Sequence, residues 1–170
     1  MVLLYIMAAL DDTVVYDMVG RVLTAAQSAF TPRELSELDS FVSHGPAAED
    51  CCKLLVAYPT KFYPQFGVND NGYDMRVYAY AVDVTVSLRE CPPPVSEQGV
   101  PPTPEENDDY ARIAATHAFK IVKAINCARR DGSLMPNGEC DYTIPPIAEI
   151  MEELGQCAGW DIKLSVQLSS

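Results

Sequence analysis

Between Arg76 and Glu90 the sequence RVYAYAVDVTVSLRE alternates: Tyr78, Tyr80, Val82, Val84, Val86 and Leu88 are apolar, and Asp83, Thr85, Ser87 and Arg89 between them are polar. A period of two predicts a strand with one face on a core and the other in solvent. At about 3.3 Å per residue the run reaches roughly 50 Å, well beyond the usual strand of about five or six residues. A strand of that length outruns the core of a small domain. Its early half, Val77 to Ala81, is apolar on both faces, which predicts cover on both sides, from the chain's own helices or from another subunit.

Residues 91–103, a proline-rich acidic linker, end this strand, because proline donates no ladder hydrogen bond and biases its predecessor toward extended backbone. A helix is then expected from Pro104 to about Arg129. Thr103 is placed as N-cap, Pro104 at the first helical position, and Glu106 three residues after the cap closes a capping box. Glu105, Glu106, Asp108 and Asp109 lie where the helix dipole favours negative charge. Tyr110, Ile113, Ala114, His117, Ile121, Ala124, Ile125 and Ala128 form its expected apolar stripe, and Asp131-Gly132 closes it.

Upstream, Val15, Met18, Val19, Val22, Leu23 and Ala26 recur at spacings of three and four, which predicts an amphipathic helix from Asp12 to Phe30, stopped by Thr31-Pro32. Leu35, Leu38 and Val42 suit a short second helix before the break at His44-Gly45-Pro46. A strand is expected at Cys52 to Tyr58. The following segment 59–74, PTKFYPQFGVNDNGYD, reads as a hairpin loop or arm with a strong turn at Asn69-Asp70-Asn71-Gly72. Its aromatics Phe62, Tyr63, Phe66 and Tyr73 either fold back on the hairpin's base or anchor a partner; the length of the strand that follows favours the partner. Pro145 to Leu154 reads as a short helix with Gly155 as its C-cap. The last segment puts Trp160, Ile162, Leu164, Val166 and Leu168 inward in a strand. The whole of 1–170 is then a single α+β domain in the order α-β-β-α-β, a mainly antiparallel sheet packed against two helices, with a long β-hairpin arm.

Composition narrows the function. Apolar residues make up 48% of the chain, enough for a core. Twelve Lys and Arg against 24 Asp and Glu give a net charge of -12, so tight binding of duplex nucleic acid is not expected. The first ten residues are apolar but too short to span a bilayer and lack the basic start of a signal peptide, so they read as the beginning of a buried element and no membrane association is expected. The six cysteines, 51, 52, 91, 127, 140 and 157, read as reduced, half-buried thiols, and no C-x-x-C occurs.

Chemistry is sparse. There is no nucleophile elbow, phosphate loop, dinucleotide fingerprint or H-E-x-x-H. Of the two histidines, His117 falls on the apolar stripe as a core residue, and His44 falls in a turn. Adjacent carboxylates such as Asp11/Asp12, Glu105/Glu106 and Glu152/Glu153 diverge by about 100° on a helix, which makes them caps and solvated faces. No catalytic residue, metal ligand or cofactor is assigned, and the chain is not expected to be an enzyme.

The run from VYAYAVDVTVSLREC through PPPVSEQGVPPTPEEND into YARIAATHAFKIVKAI resembles the tail terminator and head-to-tail connector (neck) proteins of long-tailed bacteriophages, particularly those of actinobacteria. The resemblance is carried by Arg89, Cys91, Pro92, Gly99, Pro101, Pro102 and Glu105, with Asp50-Cys51-Cys52 and the segment before Trp160 in support. It departs from the usual form in residues 32–49 and in Ile144-Pro145-Pro146. The resemblance implies a tail-terminator-like fold and a virion protein of the phage neck, assembled in the host cytoplasm. It also implies a homo-oligomeric ring, usually a hexamer, whose partners are the tail tube protein and the head-completion or connector protein, with DNA passing through unheld. A sibling neck or tail-tube subunit, a host-directed binding module and a small acidic enzyme are the competing classes. Under the ring reading the interface candidates are Phe62, Tyr63, Phe66, Tyr73, Val77, Tyr78, Ala79, Tyr80, Glu105 and Glu106.

Overall fold

The computed structural model describes residues 12–46, 53–69, 72–134, 143–150 and 158–168, with the side chains of 12–13, 65–69, 72–79 and 143–144 left out of the description. The apolar segment at 1–10, and Cys51, Cys52, Cys140 and Cys157, lie outside the described residues.

Two long helices form where the apolar spacing predicts them. Helix α1 (Asp12–Gln27) buries Met18, Val19, Val22, Leu23, Ala25 and Ala26. After it, Thr31 caps a single-turn helix, α2 (Pro32–Ser36), with its own capping box to Glu34. The expected second helix stops there: Val42 belongs to strand β1 (Asp39–Val42), since β1 finds a hydrogen-bonding partner in the strand that follows. Helix α3 (Pro104–Arg130) has Thr103 as N-cap and Pro104 and Glu106 in their expected places, and it closes on Asp131, whose N–H donates to the carbonyl of Cys127. Gly132 follows at φ +78, a left-handed position that glycine adopts without strain. The buried stripe of α3 is Ala114, Ala118, Ile121, Ile125 and Ala128; Ile113, expected inside, is exposed.

Five strands form one sheet among the described residues, in the order β1-β2-β3-β5-β4, with β2 (Leu54–Asn69), β3 (Gly72–Glu90), β4 (Thr143–Ile150) and β5 (Ala158–Leu168). β1 runs parallel to β2 and the other pairings are antiparallel, so the sheet is mixed and mainly antiparallel. The segment 59–74 is strand on both sides of the reversal and not a loop. Its turn formers are absorbed at register shifts between Pro59 and Lys61 and between Gln65 and Val68, and the prolines are tolerated because β1 pairs with β2 only as far as Ala57.

The expected helix at Pro145 to Leu154 is also corrected. Residues 143–150 are an edge strand pairing with β5, and Pro145-Pro146 sits at a register break between Ile144 and Ile147. An edge strand has an outward side that needs no N–H donor, so pairing with β5 overrode the local helix signal. Residues 151–157, including Gly155, lie outside the described residues.

One face of the sheet carries the core. Leu55, Ala57, Val82, Val84, Val86, Leu88, Ile162, Leu164, Val166 and Leu168 pack with Met18, Val22, Ile121 and Ile125 of the two helices. The opposite face was expected in solvent but is covered along β2 and β3: Thr85, Ser87 and Arg89 are buried, Arg89 to 4% exposure, beside Leu54, Val56 and Tyr58. The alternation of β3 is real, but its polar residues have apolar neighbours on β2. Close approach decides one residue outright: a Cβ on Gly159 would stand 1.9 Å from the carbonyl oxygen of Leu88, so no larger residue fits there without moving backbone.

Candidate functional site

β3 pairs with β5 only from Tyr80 to Glu90. Among the described residues, 72–79 therefore continue past β5 paired with β2 alone, as a two-stranded arm. Eight residues at about 3.3 Å project roughly 25 Å.

The arm's base can be described in detail. The register shift after Pro59 sets Phe62 opposite Val82, on the side of the sheet that the helices occupy. There Phe62 stacks on Tyr80, with ring centroids 5.2 Å apart and planes within 3°. Phe62 is 50% exposed, so the stack ends beyond the helices as an apolar step in solvent. Tyr63 points to the opposite face and its hydroxyl donates to Asp83 Oδ1 at 3.3 Å. Farther out, Phe66 pairs with Val77 and Tyr73 with Val68, and Tyr78 falls in the register shift between Ala79 and Val77. The side chains of Phe66, Tyr73, Val77, Tyr78 and Ala79 lie outside the description.

Phe62 and Tyr80 are thus brought together, Tyr63 lies on the other face of the same strands, and Glu105 and Glu106 stand at the other end of β3. The hydroxyl of Tyr110 donates to the carbonyl of Glu90, which ties the start of α3 to the last residue of that strand. At the helix start Glu106 Oε2 accepts from the N–H of Thr103 at 2.8 Å, and Thr103 Oγ1 accepts from the N–H of Glu106 at 3.2 Å. The Thr103 N–H first, and then the Thr103 hydroxyl donating to the same Oε2 at 3.0 Å, hold the Glu106 carboxyl below the usual range. Glu105 is exposed.

Two polar clusters depend on tertiary contacts that the sequence did not reveal. His117 is half-buried between Glu90, whose Oε1 lies 2.6 Å from Nδ1, and Glu34, 3.8 Å from Nε2; Lys120 also reaches Glu34 at 3.6 Å, and Phe30 meets the imidazole edge-on. The histidine is held by partners, as a core histidine should be. Carboxylates, an ammonium and a phenyl ring around an imidazole suit fastening α3 to α2 and to the end of β3. His44, in its turn, meets the hydroxyl of Tyr16.

On the face away from the helices Ser87 donates to Asp161 Oδ1 at 2.5 Å, Asp83 accepts from Ser165 as well as from Tyr63, and Lys163 donates to Glu149 at 2.5 Å. Tyr58 lies beside them, its phenol pushed above its ordinary value by burial and then by the charge of Asp161. The β3–β5 register, Ser87 opposite Asp161 and Asp83 opposite Ser165, creates this network. Its only trace in the sequence is two strands with polar residues on alternate positions.

Cys91 and Cys127 are free and exposed, more so than the half-buried reading expected. Among the described residues no three His, Cys, Asp or Glu side chains group to hold a metal ion, and no helix is long and apolar enough to cross a membrane. What the arrangement offers is surface: a projecting ribbon, an aromatic step at its base and an acidic helix start at the far end. No protein-family model matches this chain, and no curated protein matches it.

Proposed function

We propose that this chain is a structural ring subunit of a long-tailed phage, a tail terminator that caps the tail tube, stops its polymerisation and joins it to the head connector. The observation that supports this most is the hairpin arm. An isolated two-stranded hairpin is marginally stable in water, and this one extends about eight residues beyond its last neighbouring strand with an exposed aromatic stack at its base. Packing against an adjacent copy gives such an arm apolar cover, and at about 25 cal/mol per Å² of apolar area the burial favours a ring over monomers. The resemblance of the strand, linker and helix start to neck proteins points the same way. The net charge of -12 suits a channel through which DNA slides without being held.

Light scattering and negative-stain microscopy of the purified protein test the reading. Discrete rings of defined mass are expected, and the resemblance implies six copies in each. Long tubes would instead make the chain a tail-tube subunit, and a monomer at every concentration would overturn assembly altogether.

A further inference from the structure

The outer sides of α1 and α3 enclose a groove of about 610 Å³. Among the described residues its cations are Arg21, which has a partner of its own, Lys120 and Lys123, three of only 12 Lys and Arg in the chain, against the one carboxylate of Asp131; small residues such as Ala25 and Ala124 line it too. Asp131 is occupied by the N–H of Ser133 at 2.9 Å, and Lys120 also reaches Glu34. On α3, one turn before Lys123, Phe119 is 69% exposed. A cationic groove with an exposed phenyl ring on the same helix is matched by a ligand that is both acidic and apolar.

The chain itself carries such a segment. In the linker, Val95 and Val100 are 58% and 59% exposed, and Glu97 between them and Glu105 after them are exposed too. The segment is already ordered: Ser96 N–H donates to the carbonyl of Val100, Gly99 N–H to that of Ser96, and Val100 N–H to the hydroxyl of Ser96. Gly99 at φ +76 makes that turn possible. A preformed turn loses little freedom on docking.

It cannot reach its own groove. Thr103 fixes the end of the linker at the start of α3, and Lys120 lies 17 residues further on, roughly 25 Å along the helix axis. We infer that the linker turn of one copy, through Val95, Glu97, Val100 and Glu105, docks on the Arg21/Lys120/Lys123 groove and Phe119 of the next copy. This rests on the ring reading above and supplies its contact. Two different surfaces meet, so the contact is head-to-tail and repeats from copy to copy until it closes. Salt weakens it, because its charges lie at the surface.

Reciprocal charge reversal tests the contact. Lys120→Glu/Lys123→Glu leaves an acidic linker facing an acidic groove; Glu97→Lys/Glu105→Lys leaves a basic linker facing a basic groove. Each variant alone is expected to run as a folded monomer in light scattering at concentrations where the unaltered protein assembles. Mixed in equal amounts they are expected to regain the assembled mass, because every contact in an alternating ring is again between opposite charges. Circular dichroism and urea midpoints check folding. If either double variant fails to fold, Lys123→Glu and Glu97→Lys, both on exposed side chains, carry the same test. Assembly of both variants on their own would overturn the linker contact and leave the ring intact, as would folded monomers that stay monomeric when mixed. An unaltered protein that never assembles would overturn the ring reading itself.

Discussion

The two halves of the β2–β3 hairpin are built from one alternating pattern and live in different surroundings. At the base, Val82, Val84, Val86 and Leu88 are backed by two helices on one face, while Thr85, Ser87 and Arg89 are buried on the other, and β5 continues the sheet alongside. Past Tyr80 the same two strands continue with no third strand beside β3 among the described residues. The difference teaches that alternation reports the pleat of a strand and says nothing about what covers it. Cover is supplied by neighbours: helices at the base, and by our proposal a second copy at the arm.

The comparison can be broken most severely at the base. Val84→Asp puts an unpaired carboxylate into the helix-backed face, and a loss of more than about 4 kcal/mol is expected from urea titration, enough to abolish folding. A smaller loss of about 1–3 kcal/mol is expected for Gly159→Ala, because its methyl collides with the Leu88 carbonyl that aligns β3 with β5. Thr103→Ala removes the cap of α3 and should cost about 1 kcal/mol.

Acid should act on the same cap. The carboxyls of Glu34 and Glu106 are held low chiefly by backbone hydrogen bonds to Thr31 and Thr103. Their help to the fold is therefore present above the ordinary carboxylate pKa and is lost as pH falls through the lower folded value. Helical circular dichroism should begin to fray in that acid window, with a smaller response in Thr103→Ala. The mildest change sharpens the contrast from the other side. Phe62→Ser, on the exposed stack, is expected to move the urea midpoint by under about 0.5 kcal/mol while reducing assembly; a large loss of stability would mean that the arm's base belongs to the core.

How much could be read in advance depended on whether the signal was local. The capping box at Thr103, the stripe of α1 and the inward set of β5 use contacts within a turn or a single pleat, and each was legible. Segment 59–74 misled because Pro59, Pro64 and Gly67 usually break structure, whereas here register shifts on an edge accommodate them. Pro145 to Ile150 misled because a helix-like composition was overruled by pairing with β5. Of the interface candidates, Phe62 and Tyr80 stack together, Tyr63 faces the other side of the sheet, and Glu105 and Glu106 lie at the opposite end of β3. The His117–Glu90–Glu34 cluster was invisible because its members are 27 and 56 residues apart along the chain.

The sequence by itself determined the elements whose causes are local: two amphipathic helices, a capped start at Thr103, and strands that alternate over β3 and β5. Tertiary structure alone decided which strands become neighbours, and so the parallel β1, the strand in place of a helix at 143–150, and the covered second face. It also decided that the described β3–β5 pairing ends at Tyr80 and Leu168 while the β2–β3 pairing runs on. The physical reason is that a strand's hydrogen bonds are satisfied only by another strand, whose identity and length no local pattern contains.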